Sequence, residues 1–288
     1  MTQPATHTLD APGAVITYDV RPPSAPSAEP PLMLIGSPMD ASGFATLSGH
    51  FSDRTVITYD PRGTARSERT DPAPESTPEQ HADDIRRVIE AVGGPVDLFA
   101  SSGGAVNSLA LVAAHPDLVR TLVAHEPPAV RMTPDHKDAE AAVLGIRSLY
   151  ERSGLGPAMV KFIQIVSLQG PVPPGFAEEI GPDPSAFGLP TEDDGTRNDA
   201  LLGQNLVTCC LYEPDFDALR AAPTRIVIGV GAESAGELAH RSGLGVAERL
   251  GLSPTVFPSN HAGFLGGEYG QHGDPVPFAT TLRQVLAT

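Results

Sequence analysis

Between residues 31 and 125 the chain alternates short, continuous apolar runs with stretches whose apolar positions recur every three or four residues. Pro31-Leu32-Met33-Leu34-Ile35 and Thr55-Val56-Ile57-Thr58-Tyr59 are two such runs, each ending in turn residues. A run without polar alternation suits a strand covered on both faces, and so a parallel sheet. Residues 78–92 carry the helical period through Ile85, Val88, Ile89 and Val92. Thr77 and Gln80 make a capping box at its start, Pro78 suits the first helical position, and Gly93-Gly94 stops it. A strand over Val96–Ala100, a helix from Ala105 to about His115 and a strand over Thr121–Ala124 come next. Residues 8–21 read as two short strands around Ala11-Pro12-Gly13. Strand and helix in alternation predict the α/β class, with a doubly wound, mostly parallel sheet.

The pattern then breaks. Helical stretches at roughly 137–152, 156–168 and 197–212 are separated by Pro/Gly-rich segments such as Gln169-Gly170-Pro171-Val172-Pro173-Pro174-Gly175. Thr224–Gly229 resumes as a buried strand, 235–250 is helical, Thr255–Phe257 is a last strand and 275–286 a closing helix. The division predicted is a core of residues 1–128 with 219–288, and a helical insertion at 129–218 after the sixth strand.

Composition narrows the partners. A chain of 288 residues with 40% hydrophobic content can bury a sizeable core. A formal net charge of −16 argues against nucleic acid and against an anionic membrane as partners, leaving a small-molecule substrate and an open question of homo-oligomers. Cys209 and Cys210 are adjacent, which suits neither a disulfide framework nor a metal site. The first residues, Met1 to His7, lack the basic start and apolar run of a signal peptide, and no segment approaches a membrane span. The expectation is a cytoplasmic protein with neither cofactor nor metal.

The chemistry centres on Phe99-Ala100-Ser101-Ser102-Gly103-Gly104-Ala105, where an apolar strand runs into Ser-Gly-Gly and then an apolar helix. A serine at that sharp turn stands above the sheet with the Gly103 N–H beside it, where an oxyanion is stabilised. Ala100 replaces the first glycine of G-x-S-x-G. Serine needs a base, and among nine histidines His261 is the candidate: it comes after the last strand in the small-residue loop Pro258-Ser259-Asn260-His261-Ala262-Gly263. His7, His50, His81, His136 and His272 read as surface positions, and His125 as a core histidine. A second oxyanion donor is expected in Ile35-Gly36-Ser37-Pro38-Met39, first at Ser37 and second at Met39. Two acids qualify to orient the base. Glu126, ahead of Pro127-Pro128, ends the strand next to the serine strand and is preferred; Glu233, after the strand at 224–229, stays open, although a glutamate at a helix start has an ordinary role there.

Together these pieces resemble the α/β-hydrolase superfamily over nearly the whole chain. Ile35-Gly36-Ser37-Pro38 is similar to its His-Gly-x-Pro oxyanion turn, and Asp60-Pro61-Arg62-Gly63-Thr64-Ala65-Arg66-Ser67 to its Asp-x-Arg-Gly-x-Gly-x-Ser loop. The elbow at Ser102 and the late His261 complete the match. The resemblance implies the α/β-hydrolase fold, with the insertion as a cap over the site. The chain departs from the family at Ile35, at Ala100 and in lacking Gly-x-x-Asp after the strand ending at Gly229. Haloalkane dehalogenases carry an acid where Glu126 falls, but they use an aspartate nucleophile where this chain has Ser102. The function expected is a serine hydrolase acting on an ester or related acyl bond of a small organic molecule. Carbon–carbon bond hydrolysis, cofactor-free haloperoxidase, perhydrolase or lyase chemistry in the same site is the alternative, and a non-catalytic binding protein the second.

Overall fold

The computed structural model describes residues 3–288. β1 (Ala5–Ala11) and β2 (Ala14–Arg21) form an antiparallel hairpin. β3 (Leu32–Ile35), α1 (Ala45–Gly49), β4 (Val56–Tyr59), β5 (Glu68–Arg69), α2 (Pro78–Val92), β6 (Val96–Ser101), α3 (Gly103–Ala114) and β7 (Val119–His125) come next. Helices α4 (His136–Ser153), α5 (Leu155–Val166), α6 (Leu206–Cys210) and α7 (Phe216–Ala221) intervene before β8 (Arg225–Gly231), α8 (Leu238–Leu250), β9 (Thr255–Phe257) and α9 (Pro275–Leu286).

The strands lie in the order β1-β2-β4-β3-β6-β7-β8-β9, with β5 paired to β2. From β4 to β9 along that order every pairing is parallel, while β2 runs antiparallel to its neighbours. From β3 the chain moves one way to β4 and the other way to β6, so the strand order reverses there. At such a reversal the connections leave a crevice outside the carboxyl ends of the strands. The loops entering it here begin at Gly36 and at Ser102.

Side-chain alternation along β3 feeds two cores. Met33 and Ile35 pack with Leu98, Ala100, Ile85, Ile89 and Leu109 beneath α2, α3 and α8. Leu32 and Leu34 pack on the opposite face with Phe44, Phe99, Phe257, Phe264, Phe278 and Leu282. A third cluster, including Ala142, Ile146, Ala158, Ile165, Leu202 and Leu206, lies within the helices between β7 and β8.

α2 has the bounds and the capping box that its sequence predicts. Other boundaries differ for local reasons. β8 runs on to Gly231 because its last residues pair with β9. α8 begins at Leu238, after Gly236 has turned the chain with φ at 92°. The segment expected as one helix over 197–212 opens as a π-helix, Ala200–Asn205, before α6. β5 has only two residues and no sequence signal, so the helical excursion leaves after the seventh strand and not the sixth. His81 is no surface residue: it is buried in α2, with Nε2 2.7 Å from Asn205 Oδ1.

Candidate active site

Ser102 is caught between the last residue of β6 and the first of α3, and it holds φ 57° and ψ −129°. A non-glycine residue there is strained by about 1–3 kcal/mol and persists only where its surroundings dictate it. The Ser102 N–H donates to His125 O at 3.0 Å, which ties the turn to β7. Glycine is required at the next two positions by close approach. A Cβ on Gly103 would lie 2.5 Å from Ser37 O, and one on Gly104 would lie 2.9 Å from Gly36 Cα. The serine turn and the Gly36–Met39 turn are therefore in backbone contact. Among the described residues the N–H groups of Ser37, Met39 and Gly103 donate to no protein acceptor. Ala100 is fully buried, and its methyl is accommodated at the position where the family carries glycine.

Glu126 comes directly after β7 with φ 46° and is fully buried. Its Oε1 accepts the Gly231 N–H at 2.8 Å and the Ser234 hydroxyl, and its Oε2 lies 2.7 Å from His261 Nδ1. Burial alone would raise its pKa. The hydrogen bond from His261, the nearby His125 and His261 rings and the Ser234 hydroxyl outweigh that and hold the carboxyl below the usual range. Glu233 is exposed, and its carboxylate meets the Ser259 hydroxyl at 3.3 Å, not His261. Of the two candidate acids the structure joins Glu126 alone to His261.

His261 sits in a loop held by its own hydrogen bonds, Gly263 N–H to Asn260 O and Ala262 N–H to Asn260 Oδ1, both at 2.9 Å. Its ring stacks on His125 with centroids 6.0 Å apart. His125 closes a chain back to the serine turn, since Ser101 Oγ lies 3.3 Å from its Nδ1 and Ser102 N–H binds its carbonyl. No hydrogen bond joins Ser102 Oγ to His261. Such contacts are often loose until substrate binds. Burial among phenylalanines pushes His125 down to about 4, so it stays neutral.

Two neighbours of Glu126 are not singled out by the sequence pattern. Ser234 is one of its hydrogen-bond donors, and His240 of α8 places Nδ1 3.4 Å from Oε1. The small-residue turn Gly231-Ala232-Glu233-Ser234 directly after a buried strand is the one signal that points to Ser234. Asp60 and Arg62 serve the loops. Arg62 makes a buried two-pronged pair with Asp84 at 2.7 and 2.8 Å, and Asp60 binds Ala41 N–H and Arg66.

His125, Glu126 and His261 bring one potential metal-binding atom each within 4.8 Å of one another. The fit to a metal is poor, because these groups already have hydrogen-bond partners. Glu126 Oε1 accepts from Gly231 N–H and Ser234, its Oε2 meets His261 Nδ1, and His125 Nδ1 lies 3.3 Å from Ser101 Oγ. Two clefts, of 390 Å³ beside Asp40 and Arg66 and of 590 Å³ between Arg69 and Arg197, are lined by none of these residues.

The alpha/beta hydrolase fold family matches residues 33–153, the stretch that carries β3, the serine turn and Glu126. A thermophilic esterase from Thermogutta terrifontis superposes with a TM-score of 0.64, covering 99% of this chain and 98% of its own, at 18% identity. The chain has the α/β-hydrolase fold, and the match to that family's model covers its residues 33–153. It is also 26% identical over 266 residues to the uncharacterized hydrolase YraK of Bacillus subtilis, with 89% of each chain covered. The proline iminopeptidase of Mycobacterium smegmatis shares the fold equally, with a TM-score of 0.64, 18% identity and 98% of each chain covered. No described helix is long and apolar enough to cross a membrane.

Proposed function

We propose that this protein is a serine hydrolase that cleaves an ester of a small organic molecule through Ser102, His261 and Glu126. The observation that carries the reading is the 2.7 Å contact between His261 and buried Glu126 at the same sheet edge as the strained Ser102. Ser102 Oγ attacks the carbonyl carbon while His261 Nε2 takes its proton. Glu126 holds the proton of the other ring nitrogen, which fixes the tautomer and stabilises the imidazolium. The Gly103 and Ser37 N–H groups receive the developing oxyanion. His261 returns the proton to the leaving alcohol. It then activates water, which releases the acid from Ser102.

A fluorophosphonate probe followed by mass spectrometry tests the reading. One adduct on the peptide containing Ser102 is expected, and Ser102→Ala should abolish it and reduce ester turnover by roughly 10⁴-fold or more. Turnover that survives the substitution undiminished sinks the mechanism.

A further inference from the structure

α8 carries a second imidazole to the buried carboxylate. His240 lies in the first turn of α8 with its side chain mostly buried, and its Nδ1 is 3.4 Å from Glu126 Oε1. That nitrogen is closed off from solvent, and among the described residues it makes no aligned hydrogen bond. Glu126 therefore meets an imidazole at each oxygen, His261 at Oε2 and His240 at Oε1.

A neutral imidazole has one N–H and one lone pair, and what each nitrogen faces decides which holds the proton. A lone pair on His240 Nδ1 would meet a carboxylate oxygen with no water between them, and the two would repel. An N–H in the same place is attracted. The imidazolium form carries an N–H there as well, so either form of the ring turns a positive end toward Oε1. Glu126 does not need this contact for its aim, because the Gly231 N–H and the Ser234 hydroxyl already bind Oε1. What His240 adds is electrostatic.

The surrounding charges leave that effect visible. His125 at the end of β7, His261 after β9 and Glu237 at the start of α8 are the other titratable groups around the carboxylate. Arg241, next to His240, is paired with Asp135, Nη2 to Oδ2 at 3.2 Å, and so is largely neutralised.

We propose that His240 is a positioning residue that acts through Glu126: it offsets part of the carboxylate charge and so limits how strongly Glu126 holds His261 in its protonated form. This rests on the serine-hydrolase reading above, in which His261 must be free of that proton to accept one from Ser102. The consequence is an active base at lower pH than Glu126 alone would permit.

The test is the pH profile of kcat/KM on p-nitrophenyl acetate for the full chain, His240→Phe and His240→Asn. The acid limb of that profile reports proton loss from the base of the free enzyme. His240→Phe keeps a ring and removes the N–H, so the limb should move up by ~0.5 pH unit or more. His240→Asn returns an N–H near the place of Nδ1 and should bring the limb most of the way back. A merely loosened α8 would lower the plateau without raising the limb. If His240→Phe does not fold, as read by thermal unfolding, His240→Leu takes its place. A limb that stays or moves down in His240→Phe, with Ser102 still labelled by a fluorophosphonate, overturns the proposal alone, as does an equal upward shift in His240→Asn. A wild-type chain that neither labels nor hydrolyses the ester overturns the serine reading, and the proposal with it.

Discussion

The carboxyl edge of the sheet and the helices inserted between β7 and β8 are held by different means. At the edge backbone contacts set the turns, Gly104 against Gly36, Gly103 against Ser37 O and Ser102 N–H on His125 O, and the Glu126 side chain then joins His261 and Ser234. The insertion has an apolar cluster of its own and is tied to the rest by the His81–Asn205 hydrogen bond, the Asp135–Arg241 pair between the start of α4 and α8, and the backbone bond from Ser76 N–H to Gln204 O. Backbone contacts leave almost no freedom of residue choice, whereas side-chain contacts can be replaced by others of similar volume. The turns at Gly36 and Ser102 depend on the first kind, and the packing of the inserted helices largely on the second.

The most severe challenge to this contrast is to alter, one at a time, the two glutamates at the edge. Glu126→Gln should reduce kcat by ~10⁴-fold, the scale of amidating the acid of a serine triad, while Glu233→Gln should stay within about 2-fold of wild type. Steady-state kinetics on one ester decides it, and equal losses would dissolve the distinction between the buried and the exposed acid.

A smaller effect probes the joint between the regions. Among the described residues His81 Nδ1 already lacks a partner, so Asn205→Ala leaves both ring nitrogens of a buried histidine unsatisfied. The expected cost is about 1–3 kcal/mol in urea unfolding. Amide exchange should accelerate over α6 and not over β6 or β7, and uniform acceleration would mean that the two regions open as one.

The gentlest probe is acid. Burial pushes both His81 and His125 from 6.5 to about 4. Their unfolded forms take up protons that the native forms refuse. The stability from neutral burial is therefore complete above about pH 6.5 and is lost as pH falls toward 4, by at most about 1.4 kcal/mol per pH unit for each ring. Glu126 is held low, so its contribution persists to below about pH 4.3 and fades only in stronger acid. Urea midpoints at pH 7.5, 6 and 5 should decline along that course, and a flat profile would show that neither ring is buried in solution.

Legibility in the sequence divides along the same line. β3, β4, α2, β6 and β7 announce themselves because a doubly covered strand must be apolar throughout and a capped helix must carry its box. Ser102, Gly103 and His261 are legible because small residues crowd where chain elements approach closely. The sequence prefers Glu126 and leaves Glu233 open, because burial of one and exposure of the other arise only when β7 and β8 lie side by side. The π-helix and the burial of His81 are hidden for a related reason. His81 depends on Asn205, a partner more than a hundred positions away, and no local pattern encodes that pairing. The two-residue β5 is too short to leave a periodicity at all.

The excursion that leaves the sheet after β7 returns to it at β8, and those two strands are hydrogen-bonded neighbours. Departure and return thus share one doorway, and the helices between them carry a nucleus of their own. An insert so attached is a replaceable cassette. A lineage can swap or redesign it while the reacting groups keep their places, which lets one scaffold acquire new diets without relearning its chemistry.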